Sequence, residues 1–78
     1  MPELYHVTEP NPDHKVWGIY TRRKRSGYGN LFRLTTFTFD CQTAIQQGQA
    51  LMEQSTHPIE VSIQGASASH NLPDKYNP

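Results

Sequence analysis

The chain reads as an α+β domain: an antiparallel sheet of three to four strands with one helix packed on one face, in the order β-β-β-α-β. Three observations predict it. β-branched and aromatic residues gather in short runs bounded by Pro, Gly and Asn. Between residues 41 and 55, Ala44, Ile45, Gly48, Leu51 and Met52 recur at helical spacing, with glutamines opposite. Residues 59 to 64 then alternate apolar and polar, the period of a half-buried strand.

The first element is Leu4-Tyr5-His6-Val7-Thr8, a β-prone run stopped by Pro10 and Pro12, which lack the N–H a ladder needs. The second is Lys15 to Thr21, with Trp17 and Ile19 on one face and Val16 and Tyr20 on the other. Gly18 within it marks a bulge or a close approach. Arg22 to Asn30 follows as a hairpin loop whose Gly27, Gly29 and Asn30 supply positive φ. Residues 31 to 39 form the most apolar strand. Phe32 and Leu34 share one face and Phe37 and Phe39 the other, so a bulge or twist near Thr35-Thr36 is required to bring all four to the core. Without it both faces are partly apolar, which favours a partner or a homodimer.

Asp40 is placed to cap the helix. Gly48 in its apolar stripe costs about 1 kcal/mol relative to Ala, which fits a helix backbone lying close on the sheet. Pro58 ends it, and Ile59, Val61 and Ile63 of the next strand point inward. Residues 1–64 are thus a single α+β domain. From Gly65, small and polar residues dominate, and 65–78 reads as a flexible or extended C-terminal tail with Leu72 and Tyr76 as its only large apolar anchors. Plain alternation puts Arg33, Thr35, Glu60 and Ser62 on the face away from the helix, open to solvent.

Seventy-eight residues with 35% hydrophobic content and a mean hydropathy of −0.73 leave little apolar surface to bury. No apolar run is long enough to span a bilayer, so no membrane partner is expected. One cysteine forbids an intrachain disulfide and fits a reducing compartment. The N-terminal residues carry no signal-peptide pattern, and the expected location is cytoplasmic.

Formal net charge is zero, yet four of the seven basic residues are contiguous: Arg22, Arg23, Lys24 and Arg25. Such a cluster neutralises phosphates, and Tyr28 and Arg33 nearby add stacking or hydrogen bonds. Nucleic acid or an acidic protein surface is the expected partner; a solvated hairpin that discourages edge-to-edge pairing is the alternative. Catalytic and cofactor signatures are missing from the pattern. Cys41 sits where a helix N-terminus favours thiolate, but nothing places His6, His14, His57 or His70 beside it. The histidines lack zinc spacing, the acids are dispersed, and Gly27 and Gly29 precede a strand, not a helix. The expectation is a non-enzymatic binding module without metal or cofactor.

Thr36-Phe37-Thr38-Phe39-Asp40-Cys41-Gln42-Thr43-Ala44, with Leu51 downstream and a basic hairpin upstream, resembles the arm-type DNA-binding domain of phage integrases over roughly residues 16–55. That resemblance implies a three-stranded sheet that enters the major groove. With the further strand at 59–64, the chain is also similar to small β-β-α-β proteins of bacteria and mobile elements, some phage-encoded anti-CRISPR inhibitors among them. This second resemblance implies a binder that blocks a larger assembly.

Overall fold

The computed structural model describes residues 2–24 and 31–77. Among these residues it is α+β, with one α-helix and a five-stranded mixed sheet. The elements are β1 (His6–Val7), β2 (Val16–Arg23), β3 (Phe32–Thr38), α1 (Cys41–Gln54), β4 (Ile59–Ala66), a 3-10 turn at Ser69–Asn71 and β5 (Lys75–Tyr76). Their order across the sheet is β1-β4-β2-β3-β5. β2 is central and antiparallel to both neighbours, so β3 and β4 run the same way and α1 crosses β2 to join them.

The expected sheet is corrected in two respects. It has five strands, and β1 pairs in parallel with β4, His6 opposite Ser62 and Val7 opposite Ile63. β1 falls inside the β-prone run expected at residues 4–8, while β5, only two residues long, is too short to produce a periodic signal in the sequence. Both lie beside long strands with free edges, and backbone bonds from Tyr5 to Val61 (2.8 Å) and Leu34 to Asp74 (2.8 Å) secure them.

Two apolar layers sandwich the sheet. On the helix side, Trp17, Ile19, Val61 and Ile63 pack against Ala44. Asp40 caps the helix, accepting from the Thr43 N–H at 2.9 Å and the Thr43 hydroxyl at 3.0 Å. Gly48 is the contact point: a Cβ there would lie 3.0 Å from Val61 Cγ1 and 3.3 Å from Ile63 Cδ1. The close helix-to-sheet crossing anticipated from this glycine is present.

The opposite layer is built by the segment read as a flexible or extended tail, which covers the face expected to be open. β4 continues to Ala66, and residues 69–76 fold back across the sheet. Leu72 is buried against Val16, Tyr20 and Phe32. It sits over Gly18, where a Cβ would approach Leu72 Cδ2 at 3.0 Å. Tyr76 stacks on Phe32 (centroids 5.4 Å apart) and meets Tyr20 edge-on (4.8 Å). Its hydroxyl hydrogen-bonds the fully buried Ser62. The thin composition is thus offset by recruiting the C-terminal residues into a second small core.

A bulge decides which side chains of β3 reach that core. Ile19 pairs with Thr36 and Tyr20 with Leu34, so Thr35 is the extra residue. The shift brings Phe32, Leu34 and Phe37 to the same side despite their opposite parity in sequence. Only Phe32 and Leu34 gain cover; Phe37 and Phe39 remain 41% and 77% exposed, so the expectation of four core aromatics and aliphatics holds for two.

A cationic face and an exposed aromatic edge

Alternation along β2 sends Arg22 and Arg23 to opposite faces. Both belong to the strand, not to the loop where the sequence reading put them. Arg22 lies on the tail side opposite Glu60, and its Nε donates to Glu60 Oε1 at 3.0 Å. Its guanidinium covers the Phe32 ring at 4.2 Å and the Tyr5 ring at 4.9 Å. Tyr5 in turn leans on Phe32, centroids 5.3 Å apart. Charge and π-face are both engaged within the fold, which gives Arg22 a structural role.

Arg23 faces the helix side beside Ile59 and is exposed, as is Lys24, whose N–H donates to the Pro58 carbonyl at 3.0 Å. Arg33 is paired with Thr21 and also lies on the helix side, as does Thr35, whose hydroxyl is 3.0 Å from that of Thr21. The expected open-face quartet is therefore split: Glu60 and Ser62 lie under the tail and Arg33 and Thr35 on the helix side. Directly across from Arg33, on the same face, stands Lys75 of β5. Among the described residues the Arg22–Glu60 contact is the one ion pair, so Arg23, Lys24, Arg33 and Lys75 have no carboxylate of a described residue within 4.0 Å. Of the remaining expected contacts, Arg25 and Tyr28 fall outside the described residues. Lys75 was not foreseen. Its signal in the sequence was the Pro73-Asp74 turn before a Lys-Tyr pair, which is the pattern of a short returning strand.

A second feature lies at the other end of β3. β5 and the Asp74 carbonyl occupy its outer edge only as far as Leu34. Beyond the bulge no strand among the described residues covers that edge. Phe37 and Phe39 stand there edge to face, centroids 5.7 Å apart. On the helix side the same edge borders a shallow groove of about 230 Å³ between Thr35, Thr36 and the helix residues Gln47, Ala50, Leu51 and Gln54. An open cleft of about 590 Å³ lies on the tail side among Tyr5, His6, Gln64, Tyr76 and Asn77.

Burial, and then the Asp40 carboxylate, push the Cys41 thiol up, the opposite of the thiolate that a helix N-terminus favours. His14 lies edge-on to Trp17 at 5.2 Å, within reach of the Asn11 amide at 3.2 Å. No three His, Cys, Asp or Glu side chains among the described residues are grouped to hold a metal. No helix among them is long and apolar enough to cross a membrane. No protein family, curated protein or solved structure matches the chain.

Proposed function

We propose that this chain is a non-enzymatic binding module, acting in the cytoplasm, that engages a polyanion, nucleic acid above all, through Arg23, Lys24, Arg33 and Lys75, joined by Arg25 of the same basic run. The observation that carries this reading is the Arg33–Lys75 pair. Two like charges directly opposite on neighbouring strands destabilise a sheet, and no carboxylate of the described residues lies within 4.0 Å to relieve them. A phosphate backbone supplies that relief, and releasing its counterions provides the driving force. Arg22 is left out, because it is already bound to Glu60.

The test is a gel shift with random duplex and single-stranded oligonucleotides. Five phosphate contacts imply a loss of affinity of roughly five-hundredfold between 50 and 200 mM salt. Arg33→Glu with Lys75→Glu abolishes the shift, whereas Arg22→Gln largely preserves it. An absent shift at low salt overturns the proposal.

A protein partner is the second reading, with the domain blocking a larger assembly as the resemblance to small phage inhibitors implies. The exposed Phe37–Phe39 pair favours it, since adjacent aromatic rings in solvent are the composition of an interface anchor. Pull-down from a host lysate with and without nuclease separates the two: a nuclease-resistant complex lost in Phe39→Ser supports a protein partner, and a nuclease-sensitive one removes it.

A further inference from the structure

The tail-side cleft is walled by rings that the fold already holds in place. Tyr5 and Tyr76 border it, and each is seated on the fully buried Phe32, with centroids 5.3 and 5.4 Å away. Tyr76 is further pinned by the edge of Tyr20 and by its bond to Ser62, and Tyr5 by the Arg22 guanidinium. Walls fixed in this way leave little ordering cost for a ligand to meet. Alternation along β4 puts Gln64 on the same face as Ser62, and His6 stands opposite Ser62 on β1, so both reach the same space. Asn77 completes the lining.

The chemistry of that lining is specific. None of the five residues carries a fixed charge, so an ionic group finds no counter-charge among them. The side chains of His6, Gln64 and Asn77 make no hydrogen bond among the described residues, although all three border one cleft. Each carboxamide presents an N–H donor and a C=O acceptor side by side. The edge of a nucleobase presents the complementary pair, and its flat ring suits a tyrosine.

We infer that this cleft binds a nucleobase, stacked on a tyrosine ring and held at its edge by the Gln64 and Asn77 carboxamides, with His6 as a third hydrogen-bonding group. Its volume of about 590 Å³ lies within the range of small-molecule sites. Adenine is the preferred base, since its edge pairs bidentately with Asn or Gln. Tyr5 is 49% exposed, so the cleft is open on one side and affinity is modest, with a Kd of about 0.1 to 1 mM for a nucleoside. The site does not rest on the cationic face, which lies across the sheet: Lys75 and Tyr76 are successive residues of β5 and point opposite ways.

The probes are adenosine, cytidine, uridine and ribose, each titrated to about 5 mM to bracket that affinity. The readout is the set of side-chain amide signals of Gln64 and Asn77 in 1H–15N NMR spectra. Adenosine is expected to shift both saturably, and ribose to leave them in place. Gln64→Leu keeps the bulk of the side chain and removes its amide, so adenosine, followed at Asn77, weakens at least about fivefold. Circular dichroism confirms folding. If that variant does not fold, His6→Ala, exposed on an edge strand, carries the test with an expected loss of at least about twofold. No saturable shift with any nucleoside, an equal response to ribose, or a folded variant that binds as the wild type does overturns the inference.

A short adenine oligonucleotide identifies the source of the base. Binding at the cleft at least about tenfold tighter than adenosine, brought back to the adenosine value by Arg33→Glu with Lys75→Glu, places the base in a strand. Any weaker response of the oligonucleotide marks a free nucleoside or nucleotide as the ligand. Gel shifts score the cationic face separately, so either reading fails without the other.

Discussion

The Tyr20 hydroxyl donates to the Pro73 carbonyl at 2.7 Å, joining the centre of β2 to a residue 53 positions later. This bond, with Leu72 seated over Gly18 and Tyr76 against Phe32, makes the C-terminal residues part of the core. Leu72→Ala is expected to destabilise the fold by about 3 kcal/mol, the cost of a buried leucine that leaves a cavity. Urea unfolding measures it. An effect under about 0.5 kcal/mol, typical of a surface site, contradicts the packed tail.

The same tyrosine predicts an alkaline limit. Burial, then the nearby Tyr76 and Asp74, push its pKa from 10.0 up to about 12. The folded state thus holds the proton more tightly than the unfolded one. Its contribution to stability is complete below pH 10 and is lost as pH rises through about 12. Tyr76, also raised by burial, adds in the same direction. Tyr20→Phe gives up the hydrogen bond, about 1 kcal/mol at neutral pH, and flattens the alkaline decline; urea titrations paired with phenolate absorbance read both.

Gly48→Ala sets helix propensity against packing. Alanine gains about 1 kcal/mol in an open helix. Here its Cβ meets Val61 Cγ1 at 3.0 Å and Ile63 Cδ1 at 3.3 Å, and both residues are fully buried and unable to retreat. Overpacking of about 1–3 kcal/mol wins, and the variant melts lower than the wild type. A higher melting temperature contradicts the tight crossing.

Arg22 and Glu60 are expected to separate stability from binding. Glu60→Gln removes the negative charge beside a guanidinium that also covers two rings, at about 2 kcal/mol for a charge-assisted bond in a part-buried site. Oligonucleotide affinity changes by less than about threefold, since neither side chain faces the cationic surface. Thermal melts and gel shifts on the same variant distinguish the two effects.

The long elements were legible because each carries many residues of one period. The helix stripe from Ala44 to Met52 and the alternation from Ile59 to Ile63 predict their buried faces correctly. β1 was legible as a β-prone run at residues 4–8, but its parallel pairing was not, and β5 was not legible at all, since two residues contain no period and both pairings depend on strands distant in the chain. Leu72 and Tyr76 were noted as anchors, but a segment rich in small polar residues gives no sign of the surface it covers. The basic run misled in one respect. Four consecutive charges suggest one protruding loop, whereas a strand sends alternate side chains to opposite faces and commits Arg22 to Glu60. Lys75 joins Arg33 only through sheet register, which composition cannot reveal.

The bulge at Thr35 has a consequence for the gene. Removing one residue from a paired strand ordinarily turns every later side chain to the wrong side. At codon 35 it does not, because Thr36 already faces Ile19 and Phe37 already faces Gly18. Loss of that single triplet straightens the strand and leaves its inward and outward sets intact, so this is the position in β3 where a length change is tolerated during divergence.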